Sequence, residues 1–151
     1  MGKKADVERN EFMADRFFRS DGFVSSGFLN FIPKEAYEET KAGAVIVDVR
    51  EEFLVDFKSF DVAKVMAIPY SQIEARYFEL PTDIGLIIAD STGLKMKETL
   101  LFLQKKGFKN IAGLAGGFIE WERDGMPLKT DKTEKLDGQC VCQLKPRSRT
   151  K

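Results

Sequence analysis

Residues 85–97 read GLIIADSTGLKMK, an apolar run that ends in an aspartate and leads through a glycine-containing turn into a helical pattern. The run LIIA (86–89) and a second run, AVIVDV (44–49), are typical of strands that are buried on both faces of a sheet. A buried strand followed by a turn and a helix is the repeating unit of a parallel α/β sheet. Ligands bind to such sheets at the carboxyl ends of the strands, so Asp90 and its turn form the first candidate site.

The alternation of strands and helices extends over most of the chain. Five strands are predicted, at 28–31, 44–49, 64–69, 86–89 and 110–114. Helices are predicted at 33–41 and 71–80, from the turn after Asp90 to 106, and at 118–125, with an irregular connection at 53–60. This order predicts parallel βαβ units with helices on both faces of the sheet.

Composition excludes several classes of function. The chain carries 24 basic and 24 acidic side chains, so it has no net field that would favour nucleic acid. No apolar stretch approaches the roughly 18 residues of a membrane span, and the charged N-terminus is unlike a signal peptide, so we expect a cytoplasmic protein. Histidine is absent, which excludes Ser-His and Cys-His nucleophile pairs and mixed Cys/His zinc sites. Chemistry is left to carboxylates, lysine, tyrosine or the two cysteines, Cys140 and Cys142.

Three regions are predicted from these patterns: an N-terminal helical extension at 1–27, a single domain at 28–128 and a basic flexible tail at 129–151. Within the extension, apolar residues recur at helical intervals over 6–19. Such a helix either covers an apolar surface of the domain or binds a partner.

Four segments together resemble the rhodanese-like domain family. They are IPKEAYEE (32–39), VIVDVREE (45–52), AIPYSQIE (67–74) and KGFKNIAGLAGGFIEW (106–121). The resemblance implies a three-layer α/β/α fold with a central, mostly parallel five-stranded sheet. It also implies that Asp48 and Arg50 form a structural ion pair, and we expect Trp121 to pack in the core. The family's Gly-His-Ile-Pro-Gly-Ala segment is replaced here by FKSFDVAKVMAIP (57–69).

The resemblance also implies a six-residue loop at the end of the strand 86–89. Family members that transfer sulfur begin this loop with cysteine, and its N–H groups stabilise a thiolate or persulfide. Here an aspartate stands in the position of that cysteine. The six residues are Asp90, Ser91, Thr92, Gly93, Leu94 and Lys95.

A carboxylate cannot carry sulfur as a persulfide, so we expect no sulfurtransferase turnover at Asp90. The segment ADSTG superficially resembles aspartyl-phosphate enzymes, but those need a second carboxylate for Mg²⁺, and Thr92 is not one. The hypothesis that we favour is that Asp90 fills the anion site of its own loop, with Lys95 as a flanking partner. Ser91 and Thr92 would then close the turn by hydrogen bonds or contact a ligand.

The tail segment DGQCVCQLKPRSRTK (137–151) places Cys140 and Cys142 ahead of four basic residues, which raise the fraction of reactive thiolate. Three interpretations stay open: an exposed tail without a defined task, a metal site completed by a dimer or a partner, and a thiol or persulfide relay. Two sulfurs do not complete a tetrahedral zinc site, so no metal site is assigned.

Two hypotheses about function follow. The first is a non-catalytic rhodanese-like module that binds a protein partner or a small sulfur species in sulfur metabolism. The second is a sulfurtransferase or persulfide relay that works through Cys140 and Cys142. The sequence predicts no cofactor for either.

Overall fold

The structure, a computed structural model, describes residues 17–130. The strands are β1 (Phe23–Ser25), β2 (Phe28–Phe31), β3 (Val45–Asp48), β4 (Lys58–Phe60), β5 (Val65–Ala67), β6 (Leu86–Ala89), β7 (Ile111–Leu114) and β8 (Leu128–Thr130). The α-helices are α1 (Pro33–Lys41), α2 (Glu52–Phe57), α3 (Ile73–Arg76), α4 (Leu94–Lys105) and α5 (Gly117–Arg123). Two 3₁₀ turns, Tyr70–Gln72 and Tyr77–Glu79, flank α3.

The central sheet has the strand order β1-β2-β7-β6-β3-β5, and only the β1–β2 pair is antiparallel. Strands β3 and β6 are neighbours in this sheet, with Asp48 opposite Ala89. The carboxyl ends of these two strands therefore meet at one edge, where Val49 donates its N–H to the Ala89 carbonyl at 2.8 Å. The predicted α/β fold with a mostly parallel central sheet is confirmed.

The predicted count of five strands is wrong, because the central sheet has six. The additional strand is β1, within the predicted helical extension, and it pairs with β2 across a turn at Ser26 and Gly27. Both turn residues have positive φ, at 56° and 83°, as a two-residue hairpin turn requires. The predicted helix at 6–19 lies mostly outside the described residues, and residues 17–19 are not helical.

Two other segments differ from the predictions. The connection at 53–60 contains α2 and β4, and β4 pairs with β8 in a separate two-stranded sheet. The predicted helix at 71–80 is instead divided among α3 and its two flanking 3₁₀ turns. The three predicted regions remain predictions, because most of the two outer ones lies outside the described residues.

Apolar clusters cover both faces of the sheet. Phe60, Phe118 and Trp121 pack edge to face in the first cluster, with ring centroids 4.9 and 5.0 Å from Phe60. The prediction for Trp121 is confirmed, because this residue is fully buried. Helix α4 covers the opposite face through Met96 and Leu100, together with other side chains. Within residues 17–130, no helix is long and apolar enough to cross a membrane.

The first described residues are fixed to the domain by two contacts. Phe18 is buried, and a β-carbon added to Gly85 would lie only 2.6 Å from its ring. The buried carboxylate of Glu39 accepts N–H groups from Arg19, at 2.9 and 3.0 Å, and from Ser20. Segment 17–20 therefore belongs to the folded core.

Candidate functional site

Residues 90–93 form a loop at the carboxyl end of β6, whereas Leu94 and Lys95 of the predicted six-residue loop are the first residues of α4. Asp90 directly follows the last residue of the strand and is 3% exposed. Gly93 adopts a φ of 105° and forms the N-terminal boundary of α4. Residues with a side chain rarely adopt this backbone conformation, so glycine suits the position.

The Asp90 carboxylate accepts three backbone N–H groups at the start of α4. Oδ1 accepts the N–H of Gly93 at 2.5 Å, and Oδ2 accepts those of Lys95 at 2.6 Å and Met96 at 3.2 Å. These are N–H groups that the first turn of a helix leaves without intrahelical partners. A carboxylate at that position is also favoured by the helix dipole. Asp90 thus caps α4 from within the loop and occupies the N–H groups that an anion would otherwise use.

The other side of the loop is held by α5. Phe118 donates its N–H to the Asp90 carbonyl at 2.7 Å, and Ile119 donates to the Ser91 carbonyl at 3.0 Å. Gly117 allows this approach, because a β-carbon there would lie 2.6 Å from the Asp90 carbonyl oxygen. The loop is therefore fixed between the first turns of two helices.

Lys95 was expected to flank the Asp90 carboxylate as a partner, but among the described residues its ammonium forms no ion pair with Asp90. Its Nζ is 4.4 Å from the centre of the Tyr70 ring, a cation–π contact. The Tyr70 hydroxyl donates to Glu98, and this hydrogen bond raises the Tyr70 pKa. No side-chain hydrogen bond joins Ser91 or Thr92 to another described residue, so the turn is closed by Asp90 instead.

Asp48 and Arg50 form a buried ion pair next to the loop. Arg50 donates through Nε to Oδ1 at 2.9 Å and through Nη2 to Oδ2 at 2.7 Å, and the two side chains are 4% and 1% exposed. The guanidinium also donates to the Lys58 carbonyl at 2.8 Å and lies 4.1 Å from the centre of the Phe118 ring. The pair thus links β3, β4 and α5 around the site.

A cleft of about 310 Å³ opens beside this ion pair. Its walls come from Arg50, from α2 and from residues between the end of β5 and the end of α3, and they carry Asp56 and Arg76. Arg76 forms a two-point ion pair with Glu79 at 3.0 and 3.1 Å, which raises the pKa of Arg76 and lowers that of Glu79. Within residues 17–130, no group of three acidic or cysteine side chains is placed to hold a metal ion.

The sheet order and the loop at the end of β6 define a class of protein. The chain belongs to the rhodanese-like domain family, whose sequence model matches residues 32–124. The match begins directly after β2 and extends through the loop to the end of α5.

Individual relatives place the chain near small sulfurtransferases. It is 24% identical over 107 residues to the thiosulfate sulfurtransferase GlpE of Haemophilus influenzae, covering 68% of this chain and 96% of that protein. It is 27% identical over 89 residues to a sulfurtransferase of Allochromatium vinosum, covering 55% of this chain and 83% of that protein. A solved rhodanese-related protein from Thermoplasma volcanium is 27% identical, with a TM-score of 0.60 over 66% of this chain and 96% of that one.

The sequence reasoning placed the loop but missed some of its neighbours. The Tyr70 ring contacts the Lys95 ammonium, and Gly117 packs against the backbone of Asp90 and Ser91. The AIPYSQIE and Gly-Gly segments that contain them were recognised only as family features. Cys140 and Cys142 lie outside the described residues, so their suggested relay stays a prediction.

Proposed function

We propose that this chain is a rhodanese-like module that does not transfer sulfur at its loop and acts instead by binding, as a regulatory or scaffolding domain in the cytoplasm. The observation that carries the proposal is the set of three N–H groups donated to the Asp90 carboxylate. The Asp90 carboxylate stands at the sequence position of the cysteine whose thiolate or persulfide these N–H groups stabilise in a sulfurtransferase of this family.

The chemistry of sulfur transfer supports this proposal. A thiolate attacks the outer sulfur of thiosulfate, the bond between the two sulfurs breaks, sulfite leaves, and a persulfide remains on the protein. An acceptor such as cyanide then takes that sulfur and regenerates the thiolate. A carboxylate oxygen is too hard a nucleophile to carry sulfur in this way.

The cleft beside Arg50 and the open cluster of Tyr70, Lys95 and Glu98 are surfaces that suit binding. A protein partner or a small sulfur species is the ligand class that fits the setting of the relatives. In this proposal the loop of Asp90 has a structural role, and the ligand binds to the cleft or to the cluster.

The experiment is a thiosulfate:cyanide assay of the intact chain, together with persulfide labelling and peptide mapping. We expect no thiocyanate above the uncatalysed rate and no label on residues 90–95. Turnover that persists in a Cys140→Ser/Cys142→Ser variant and disappears in Asp90→Asn would overturn the proposal.

A second candidate function is a thiol or persulfide relay through Cys140 and Cys142. One observation favours it: Thr130, where the described chain ends, pairs with Lys58, whose carbonyl accepts from Arg50. The ten residues from Thr130 to Cys140 span up to about 36 Å when extended, so the thiols can reach the loop. In the same assay this function predicts a persulfide on Cys140 or Cys142 and turnover that disappears when both are serine. Unlabelled cysteines after treatment with thiosulfate would rule it out.

A further inference from the structure

Helix α2 presents an apolar face that has no cover within the described part of the chain. None of its six residues is buried, and Phe53 and Phe57 are 71% and 55% exposed. These residues are four positions apart, so both rings lie on one side of the helix. A helix of this length is unstable by itself and takes its stability from packing. Two neighbouring exposed aromatic rings therefore mark a surface that another segment covers.

Exposed acidic side chains lie on the same helix and on Glu51, the residue directly before it. Glu51, Glu52 and Asp56 are exposed, and none forms an ion pair with another residue of 17–130. We call these three residues, together with Phe53 and Phe57, the α2 face. A matching occupant has apolar side chains next to a run of basic ones.

The described chain ends beside this face. Thr130 is the register partner of Lys58, the residue that directly follows Phe57. Paired strands lie about 5 Å apart, so the described part of the chain ends, at Thr130, next to the end of α2. Ten extended residues span up to about 36 Å, whereas α2 is only about 9 Å long. Residues 140–151 are thus within easy reach of the whole α2 face.

The sequence of residues 131–151 has the matching chemistry. It contains six basic and three acidic residues, whereas the α2 face has three acids. The Lys58 ammonium lies 5.6 Å from the centre of the Phe57 ring, but it is paired with Glu122. Four apolar residues, Cys140, Val141, Cys142 and Leu144, directly precede the basic end, which carries Lys145, Arg147, Arg149 and Lys151.

We propose that residues 140–151 of this same chain dock on the α2 face. The apolar side chains at 140–144 cover Phe53 and Phe57, and the basic end lies against the carboxylates. Docking holds both cysteines beside the edge of the sheet that carries Asp90. A partner that binds the α2 face would release them. The proposal is independent of whether the loop transfers sulfur.

Disulfide trapping tests this docking, because Cys140 and Cys142 are the only cysteines of the chain. The variant Phe57→Cys in a Cys142→Ser background is oxidised mildly with diamide at low protein concentration. Peptide mapping without reductant then measures the fraction with residue 57 joined to residue 140. The same measurement with Phe53→Cys keeps Phe57 in place. Val24→Cys is the control, because Val24 is 52% exposed on β1, at the opposite edge of the sheet from β5.

We expect an intramolecular yield at positions 53 and 57 that exceeds the yield at position 24 by about tenfold or more. Position 57 lies close to Thr130, which by itself raises the disulfide yield there. The decisive comparison therefore keeps the position of the cysteines and changes only the charge of residues 145–149. Lys145→Glu, Arg147→Glu and Arg149→Glu together should lower the yield at position 57 at least fivefold, and 0.5 M salt should lower it in the unreversed chain. A yield that charge reversal leaves unchanged would overturn the proposal. Disulfides that join two chains would also overturn it, by assigning the α2 face to a second copy.

Discussion

Gly117 lies against Ser91 so closely that a β-carbon on the glycine would stand 2.5 Å from the Ser91 carbonyl carbon. The helix that begins at Gly117 also binds the carbonyls of Asp90 and Ser91 through its first N–H groups. The candidate site therefore depends on a residue that has no side chain.

Gly117→Ala should move the loop away from α5. Gly125→Ala is a matched control, because both glycines have similar positive φ values, 67° and 74°, and a β-carbon at Gly125 meets nothing within 4 Å. Both variants carry backbone strain of about 1–2 kcal/mol, and Gly117→Ala adds about 1–3 kcal/mol of overpacking. Urea unfolding measures the difference. Equal free energies of unfolding in the two variants would contradict the close packing of loop and helix.

Asp90→Asn should destabilise the domain by about 1.5–3 kcal/mol, because hydrogen bonds to a charged acceptor are lost. The amide would also place an NH₂ group among N–H donors. Asp83→Asn is the control, because Asp83 is exposed, and a surface change of this kind stays within about 0.5 kcal/mol. If thermal unfolding shows the two variants to be equally stable, the capping role of Asp90 is wrong.

Asp90→Cys should give a thiol with a lowered pKa, because the N–H groups of Gly93, Lys95 and Met96 would stabilise the thiolate. In a Cys140→Ser/Cys142→Ser background, the pH dependence of iodoacetamide modification measures that pKa directly. We expect it to lie at least one unit below the ordinary value of about 8.5. The exposed thiol of Val24→Cys in the same background should titrate near that value. Identical profiles would show that the loop has lost its preference for an anion.

Asp48→Asn should cost about 3–5 kcal/mol, because it leaves the buried Arg50 guanidinium without its charged partner. Glu122→Gln breaks the more exposed contact between Glu122 and Lys58 at 2.5 Å, and exposed pairs contribute about 0–1 kcal/mol. The free energies of unfolding of both variants test this contrast. A loss at Asp48 no greater than that at Glu122 would refute the bracing role of the buried pair.

Glu98→Ala should lower the pKa of Tyr70 toward its ordinary value of about 10, because it removes the hydrogen bond and the charge that raise it. The Tyr70 pKa is higher in the folded than in the unfolded chain. The hydrogen bond to Glu98 therefore stabilises the fold below about pH 10, and this contribution is lost as the pH rises through the folded-state pKa. Ultraviolet absorbance follows the titration, and Tyr70→Phe identifies its step among the three tyrosines of the chain. An unchanged midpoint in Glu98→Ala would show that Glu98 does not control this hydroxyl.

The sequence predicted the elements whose side chains are buried on both faces. The runs at 44–47 and 86–89 are apolar throughout, which leaves little choice of structure. The loop of Asp90 followed from its position after such a run. Its length and its glycine were sufficient to place it at the start of a helix.

The elements that the sequence missed depend on contacts between distant residues. Strand β1 has no buried residue and is defined by its pairing with β2. The predicted helix at 71–80 is interrupted because the residue before it is held by the sheet. The backbone N–H of Tyr70 donates to the Val49 carbonyl at 2.9 Å. The direction of the Lys95 side chain depends on Tyr70, which is 25 positions away and could not be inferred from spacing.

The contact of Phe18 with Gly85 sets an order on the formation of the domain. These residues are 67 positions apart, so the ring cannot reach its final site before β6 has been synthesised and has joined the sheet. Closing so long a loop carries an entropic cost that only an assembled core offsets. Residues 17–20 are therefore among the last of the described residues to be fixed, and their protection from hydrogen exchange should appear after that of β3 and β6.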